Sequence, residues 1–205
     1  MKNLFFLLVF ALTAFDSHAS LINFDGLYNG GTYNVTNYGS SADVTVSYQS
    51  LYINGSQYDA SASTWNNGYS NLNSAIYSDY YAGLLAITLT ANNPAANVTL
   101  NSFEVGGYYQ TNQTANVLEV VNGSNPADVL LNYASSPVTI SGATAQTFAP
   151  AITGNSLEII LGSTWDLGVN NISYTYTATP IPGALWLAGS ALAGLIGLGR
   201  RKMPA

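Results

Sequence analysis

Ile172-Ser173-Tyr174-Thr175-Tyr176 sets an apolar or aromatic side chain at every second position, with a small hydroxyl residue between. A period of two marks a strand with one face buried and the other wet. The same alternation recurs upstream. Val44, Val46 and Tyr48 alternate with Thr45 and Ser47, Ile87 and Leu89 flank Thr88, and Leu157, Ile159 and Leu161 alternate with Glu158 and Ile160. Val98 and Leu100 share one face, which Phe103 and Val105 take over after an extra residue; this predicts a β-bulge between the two pairs. Turn formers separate the runs, among them Asn54-Gly55, Asn67-Gly68, Asn92-Asn93-Pro94, Asn122-Gly123 and Gly154-Asn155. The chain from Leu21 to Thr177 shows neither a helical period nor a fixed repeat. The spacing predicts about ten short strands and an all-β fold, a single β-sandwich of jelly-roll type over residues 20–178.

Charge is distributed with the same economy. Lys2 and the trio Arg200, Arg201 and Lys202 are the only Lys or Arg residues in the 205-residue chain, and His18 is the only histidine. Between Ser20 and Thr179 there are nine acids and no base, so that stretch carries −9. A surface of that sign cannot neutralise phosphates, which excludes nucleic acid as a partner.

Both ends look like addresses. Lys2, the apolar run Leu4 to Phe15 and the small residues Ser17 and Ala19 make the three parts of a secretory signal peptide, residues 1–19, cleaved after Ala19. The expected partners there are the Sec translocon and signal peptidase, and His18 would leave with the leader. At the other end Pro180-Ile181-Pro182 breaks a strand, because proline cannot donate to a ladder. Gly183 to Gly199 then runs without a charge into Arg200-Arg201-Lys202. Such a run predicts a transmembrane helix whose basic end stays cytoplasmic, with the domain outside.

The order of Thr179-Pro180-Ile181-Pro182-Gly183, an apolar Gly/Ala/Leu helix and Arg200-Arg201-Lys202 resembles the PEP-CTERM sorting domain, here over residues 179–205 with Ile181 in place of the name-giving Glu. The resemblance implies an exosortase-type membrane protease as partner and a Gram-negative source with an exopolysaccharide system. It also implies an inner-membrane anchored precursor that becomes a cell-surface or extracellular protein. Pro180, Ile181 and Pro182 would be the recognised residues. A second resemblance lies inside the domain. Ile22-Asn23-Phe24-Asp25 and Val169-Asn170-Asn171-Ile172 are similar to the opening and closing strands of galactose-binding-like or concanavalin-like sandwiches, in which first and last strands pair.

The residues left between the ends exclude most enzymes. Without Cys, His, Lys or Arg there is no Ser-His or Cys-His pair, no Lys nucleophile and no ordinary zinc ligand set, so no catalytic residue is assigned. Carboxylate chemistry, with two acids at a sugar ring or as an aspartic dyad, is the one enzymatic route open, through Glu104, Glu119 and Glu158, whose plainer reading is the solvated outer face of a strand. No cofactor is expected, apart from a structural calcium held by Asp25 and Asp166 if the first and last strands meet. Tyrosine is abundant, at 15 residues. Trp65, Tyr80 and Tyr81 form a candidate glycan platform, while Trp165, before the last strand, reads as core. The leading expectation is a non-enzymatic structural or adhesive protein associated with exopolysaccharide. A glycan-binding module is the alternative and a carboxylate glycosidase the third.

Overall fold

The computed structural model describes residues 17–27, 33–162, 164–178 and 189–191. The chain divides into two compact units, Ser17–Ala178 on one hand and Met1–Asp16 with Thr179–Ala205 on the other. Of the second unit only Gly189, Ser190 and Ala191 are described, and they are helical. The leader through Phe15, the motif Pro180-Ile181-Pro182 and the cluster Arg200-Arg201-Lys202 lie outside the described residues. No helix among the described residues is long and apolar enough to cross a membrane.

Among the described residues the first unit has sixteen strands, paired antiparallel throughout. They are β1 (Ser17–Ile22), β2 (Tyr33–Val35), β3 (Val44–Leu51), β4 (Gln57–Asp59), β5 (Ala62–Asn66) and β6 (Ser74–Tyr77). There follow β7 (Leu84–Ala91), β8 (Ala96–Gly107), β9 (Gln113–Ala115), β10 (Val117–Asn122) and β11 (Asn125–Asn132). The last five are β12 (Val138–Ile140), β13 (Gln146–Phe148), β14 (Ile152–Gly154), β15 (Ser156–Gly162) and β16 (Leu167–Ala178). Six of them are only three residues long, and the alternating runs of the sequence fall on β3, β7, β8, β15 and β16.

Two sheets carry the fold. One runs β13-β8-β16-β6-β5-β2, with β1 added to β16 and β14 to β8. The other runs β11-β10-β15-β7-β3-β4. Inward residues of both sheets form one core, including Val46, Tyr48, Ile87, Leu89 and Ile159 from one and Leu100, Phe103, Val105, Ile172 and Tyr174 from the other. A sandwich-like pair of sheets results. Each such aliphatic or Phe side chain contributes about 1.5–3 kcal/mol by leaving water.

The expected bulge is present. Ser102 pairs with Ser173 and Leu100 with Tyr174, so Asn101 is the surplus residue on β8. Its amide donates to Thr175 Oγ1 at 2.9 Å. Without that extra residue Phe103 and Val105 would turn outward, since a one-residue slip reverses every side chain. Glu158 differs from expectation. Its strand is buried on both faces, and its carboxylate accepts from Thr88 Oγ1 at 3.0 Å rather than facing solvent. Burial raises its pKa above the ordinary value, partly offset by that bond.

First and last strands do pair, from Ser17↔Thr177 to Ile22↔Ile172. β1 therefore begins three residues upstream of Ser20, the N-terminus expected after cleavage. In the full chain His18 pairs with Tyr176, its ring 5.2 Å from the tyrosine's, and Nε2 lies 3.8 Å from Asp43. Cleavage after Ala19 would remove half of β1 and leave Ser20, Leu21 and Ile22 on β16.

Beyond Ile22 the chain is tied down by Asn170, which is buried. Its Oδ1 accepts from Phe24 N at 3.0 Å, and its Nδ2 donates to Asp25 Oδ1 at 3.0 Å and to Ser74 O at 2.8 Å. Asn171, with φ of +51°, turns its amide to Glu104 Oε2 and accepts from Asn23, both at 2.8 Å. The two motifs of the second resemblance thus meet at one polar joint.

Candidate functional site: an aromatic end of the domain

Antiparallel pairing collects one set of strand ends. Leu51, Leu84, Gly162 and Val117 form one row across the second sheet, and β5, β6, β8 and β16 begin or end at the Ala62, Tyr77, Gly107 and Leu167 level of the first. The β6–β7 and β15–β16 connections cross between the sheets there. Eight of the 15 tyrosines and two of the three tryptophans sit at this end, so its aromatic character exceeds what strand composition alone supplies.

The rings fall into two groups. Tyr80 lies 5.0 Å from both Tyr52 and Tyr58 and 5.2 Å from Tyr81. The second group centres on Tyr108, whose ring is 5.0 Å from Tyr69, 5.3 Å from Tyr109 and edge-on to Trp65 at 6.3 Å. Trp65 therefore does not join Tyr80 and Tyr81 in a single ring of residues; the candidate trio is split between the two groups. Trp165 connects them. Its N–H donates to Tyr81 O at 3.3 Å, its carbonyl accepts from Tyr69 Oη at 2.6 Å, and its side chain is 48% exposed. Trp165 is thus at the surface rather than in the core, because the short β15–β16 crossover passes outside the sheets.

A cleft of about 420 Å³ opens beside the Trp65–Tyr108 pair, lined also by Asn66, Asn67, Gly68, Tyr109 and Gln110. A smaller notch of about 120 Å³ lies between Trp65, Tyr69, Tyr77, Tyr108 and Trp165. The cleft walls are two turns in unusual conformations. Asn67 and Gly68 have φ of 63° and 98°, and Tyr109 and Gln110 have φ of 60° and 54°. A Cβ at Gly68 would lie 3.1 Å from the Tyr108 ring, so glycine permits both the turn and the approach. For Tyr109 and Gln110 left-handed geometry costs about 1–2 kcal/mol each. It is held by Tyr108 N donating to Asp166 O at 2.7 Å, and by Thr111 and Gln113 donating to Tyr108 O. Ser70 ties the other turn to β8, bonding Gly107 and Ser141 O.

Tyr69 is the floor of this end. It is buried, stacked on Tyr77 at 5.8 Å, and its pKa is pushed far up by burial and then by Tyr77, Asp166 and Tyr108. It stays a neutral donor at any physiological pH. Under the other group lies Asp79, whose N–H donates to Ser50 Oγ and whose Oδ1 accepts from Ser63. Its Oδ2 and the nearby Ser61 Oγ are buried without a hydrogen-bond partner among the described residues. Burial raises the Asp79 pKa, with the Ser63 bond opposing. The native state then binds a proton more tightly than the unfolded chain does. Its contribution to stability is present below the unfolded value near 3.9 and is lost as pH rises through the folded value. Asp79→Asn is expected to raise Tm at pH 7 and to raise it less at pH 4. Equal effects at both pH values in thermal melts would contradict this.

Asp25 and Asp166 are not brought together. Asp25 accepts from Asn73 and Asn170, and Asp166 accepts from Thr164 Oγ1 at 3.1 Å. Between Asn170 and Asp166 run about 13 Å of extended strand, while the oxygens around one calcium ion lie within about 5 Å of each other. No group of three or more His, Cys, Asp or Glu residues suited to a metal occurs among the described residues. A chelator is expected to leave Tm unchanged; a fall reversed by added calcium would contradict that.

Glu104 sits on the first sheet, bonded to Asn171, whereas Glu119 and Glu158 share the outer face of the second. Glu119 accepts from Asn132 Nδ2 at 2.6 Å and Glu158 from Thr88. None of the three lines the aromatic clefts.

The domain is thus an all-β, antiparallel two-sheet unit with a neutral aromatic cleft at one end. A scan against protein-family models finds no match to the chain, and a search of curated proteins finds none either.

Proposed function

We propose that the chain is an exported, non-enzymatic surface or matrix protein that associates with exopolysaccharide through the aromatic end of its domain. The Tyr/Trp-rich end, with an open cleft and no charged side chain lining it, is the observation that carries this reading. The sorting reading rests on Pro180-Ile181-Pro182, the apolar run and Arg200-Arg201-Lys202. In it the Sec translocon and signal peptidase act at Ala19, and an exosortase-type protease of the inner membrane acts near the proline motif. The pairing of β1 with β16 supports the finer assignment to a galactose-binding-like jelly roll. A purely structural role, with the sheets as adhesive bulk, is the second reading, favoured by β11, an edge strand that exposes Val129 and Leu130.

Intact-mass analysis of the protein from cell surface and culture medium tests the sorting. The expected species begins at Ser20 and has lost the helix after the proline motif. A mass that includes residues 1–19 and 180–205 in both fractions overturns it. Co-sedimentation with the exopolysaccharide of the producing cells tests the association.

A further inference from the structure

We infer that the cleft beside Trp65 and Tyr108 is a binding site for a linear neutral glycan, a chain of uncharged pyranose units. This rests on the exopolysaccharide reading and deepens it by assigning the residues and the ligand class. Three features of the site select a sugar over an apolar molecule. The first is ring surface. Tyr109 is 77% exposed beside Tyr108, and the half-buried Trp65 backs the cleft. The C–H face of a pyranose packs on such rings while its hydroxyls stay free to hydrogen bond. The second is polar reach. Asn66, Asn67 and Gln110 line the same cleft, are exposed, and make no side-chain hydrogen bond among the described residues. A carboxamide offers both a donor and an acceptor, as vicinal hydroxyls require. The third is size, since about 420 Å³ falls within the small-ligand range of about 300–1,000 Å³.

Charge then selects among glycans. No ionisable acid or base other than tyrosine lines the cleft, and the surrounding domain carries nine acids against no Lys or Arg. Uronate or sulfated chains would be repelled over the whole surface and would find no cation to pair with. A neutral chain meets no such penalty and needs no counter-ion, so its binding is insensitive to salt.

The geometry also points to a chain rather than a single sugar. The Trp65–Tyr108 pair borders both the cleft and the notch, Trp165 lines the far side of the notch, and the exposed Tyr81 is joined to it by the Trp165 N–H bond to the Tyr81 carbonyl. The left-handed Tyr109-Gln110 turn is held from below by the Tyr108 backbone bonds, so the exposed tyrosine is positioned before the ligand arrives. Preorganisation of this kind lowers the ordering cost of binding.

The test uses the full chain in a zwitterionic detergent without a sugar headgroup. Hexasaccharides of β-1,4-glucan, α-1,4-glucan, β-1,3-glucan and β-1,4-mannan are titrated by calorimetry and tryptophan fluorescence, beside hexagalacturonate. At least one neutral hexasaccharide is expected to bind saturably, with the same affinity at low and high salt and more tightly than its disaccharide. Hexagalacturonate is expected not to bind. Tyr109→Asn, which keeps the left-handed turn accessible, and Trp165→Ala should each weaken binding about tenfold with unchanged Tm. Both are surface positions, so folding survives the change. Failure of all four neutral chains, equal binding of hexagalacturonate, or full affinity in the Tyr109→Asn/Trp165→Ala double variant overturns the inference. If the double variant still co-sediments with native exopolysaccharide, the broader association stands and only this site fails. If the wild-type chain does not co-sediment, both fail.

Discussion

Asn170→Ala is expected to lower stability by about 2–4 kcal/mol, read as a lower urea midpoint at unchanged m-value. The asparagine is 1% exposed and bonds through both ends of its amide to two other segments, at Phe24-Asp25 and at Ser74, and to its own neighbour Asn171. Oδ1 holds the Phe24 and Asn171 N–H groups, at 3.0 and 2.8 Å, and Nδ2 holds Asp25 and the Ser74 carbonyl. Alanine removes these bonds and supplies nothing in their place. The Phe24 N–H suffers most, because Phe24 is fully buried and a buried donor without a partner costs about 1–3 kcal/mol by itself. The neighbour is the control. Asn171 sits at φ +51°, where glycine is at ease, so Asn171→Gly loses the bonds to Asn23 and Glu104 but gains backbone relief. It is expected to cost less than half as much. A loss below 1 kcal/mol for Asn170→Ala, or a larger one for Asn171→Gly, would mean that the joint between first and last strands is not held as described.

That joint shows how far the sequence could be read. Ile22-Asn23-Phe24-Asp25 and Val169-Asn170-Asn171-Ile172 are visible as motifs, and their meeting follows if first and last strands pair. The bulge at Asn101 is equally legible, since a buried face cannot jump by three residues without one. The bulge depends on period two, which is local, and the joint on the resemblance to sandwiches whose first and last strands pair. The aromatic end is different. Its rings come from five connections and from β4, β5 and β6, between Tyr52 and Trp165, and only the strand order brings them to one end. Local pattern could therefore select Trp65, Tyr80 and Tyr81 as aromatic yet not separate them into two groups. Trp165 reads as core because it precedes a buried strand, but exposure is decided by the path of a crossover, which has no periodicity. Glu158 fails for the opposite reason. It alternates like an outward residue, and its outward face turns out to be covered.

Gly168→Val carries the same lesson to a quantity. Judged by propensity the change should help, because Gly168 lies inside β16 and valine is a better strand former than glycine. Its surroundings reverse the sign. A Cβ at this position would lie 2.7 Å from the Ala75 Cβ and 2.8 Å from Tyr69 Cδ1, closer than side chains tolerate, and valine adds two further methyl groups. Neither neighbour can yield freely. Ala75 is buried in the adjacent β6, and Tyr69 is pinned by its hydroxyl on the Trp165 carbonyl at 2.6 Å and by stacking on Tyr77. Overpacking of this kind costs about 1–3 kcal/mol, and the strain passes through Tyr69 to the notch that Trp165 lines. The expected result is a lower Tm together with a changed tryptophan emission maximum. Tyr69→Ala removes the ring that valine strikes, so Gly168→Val/Tyr69→Ala should lose less stability than the two single changes combined. Residues in contact usually depart from additivity by 0.5 kcal/mol or more, in the range of roughly 0.5–3 kcal/mol. Strict additivity would show that the Tyr69 ring does not rest on Gly168, and the aromatic floor would have to be redrawn.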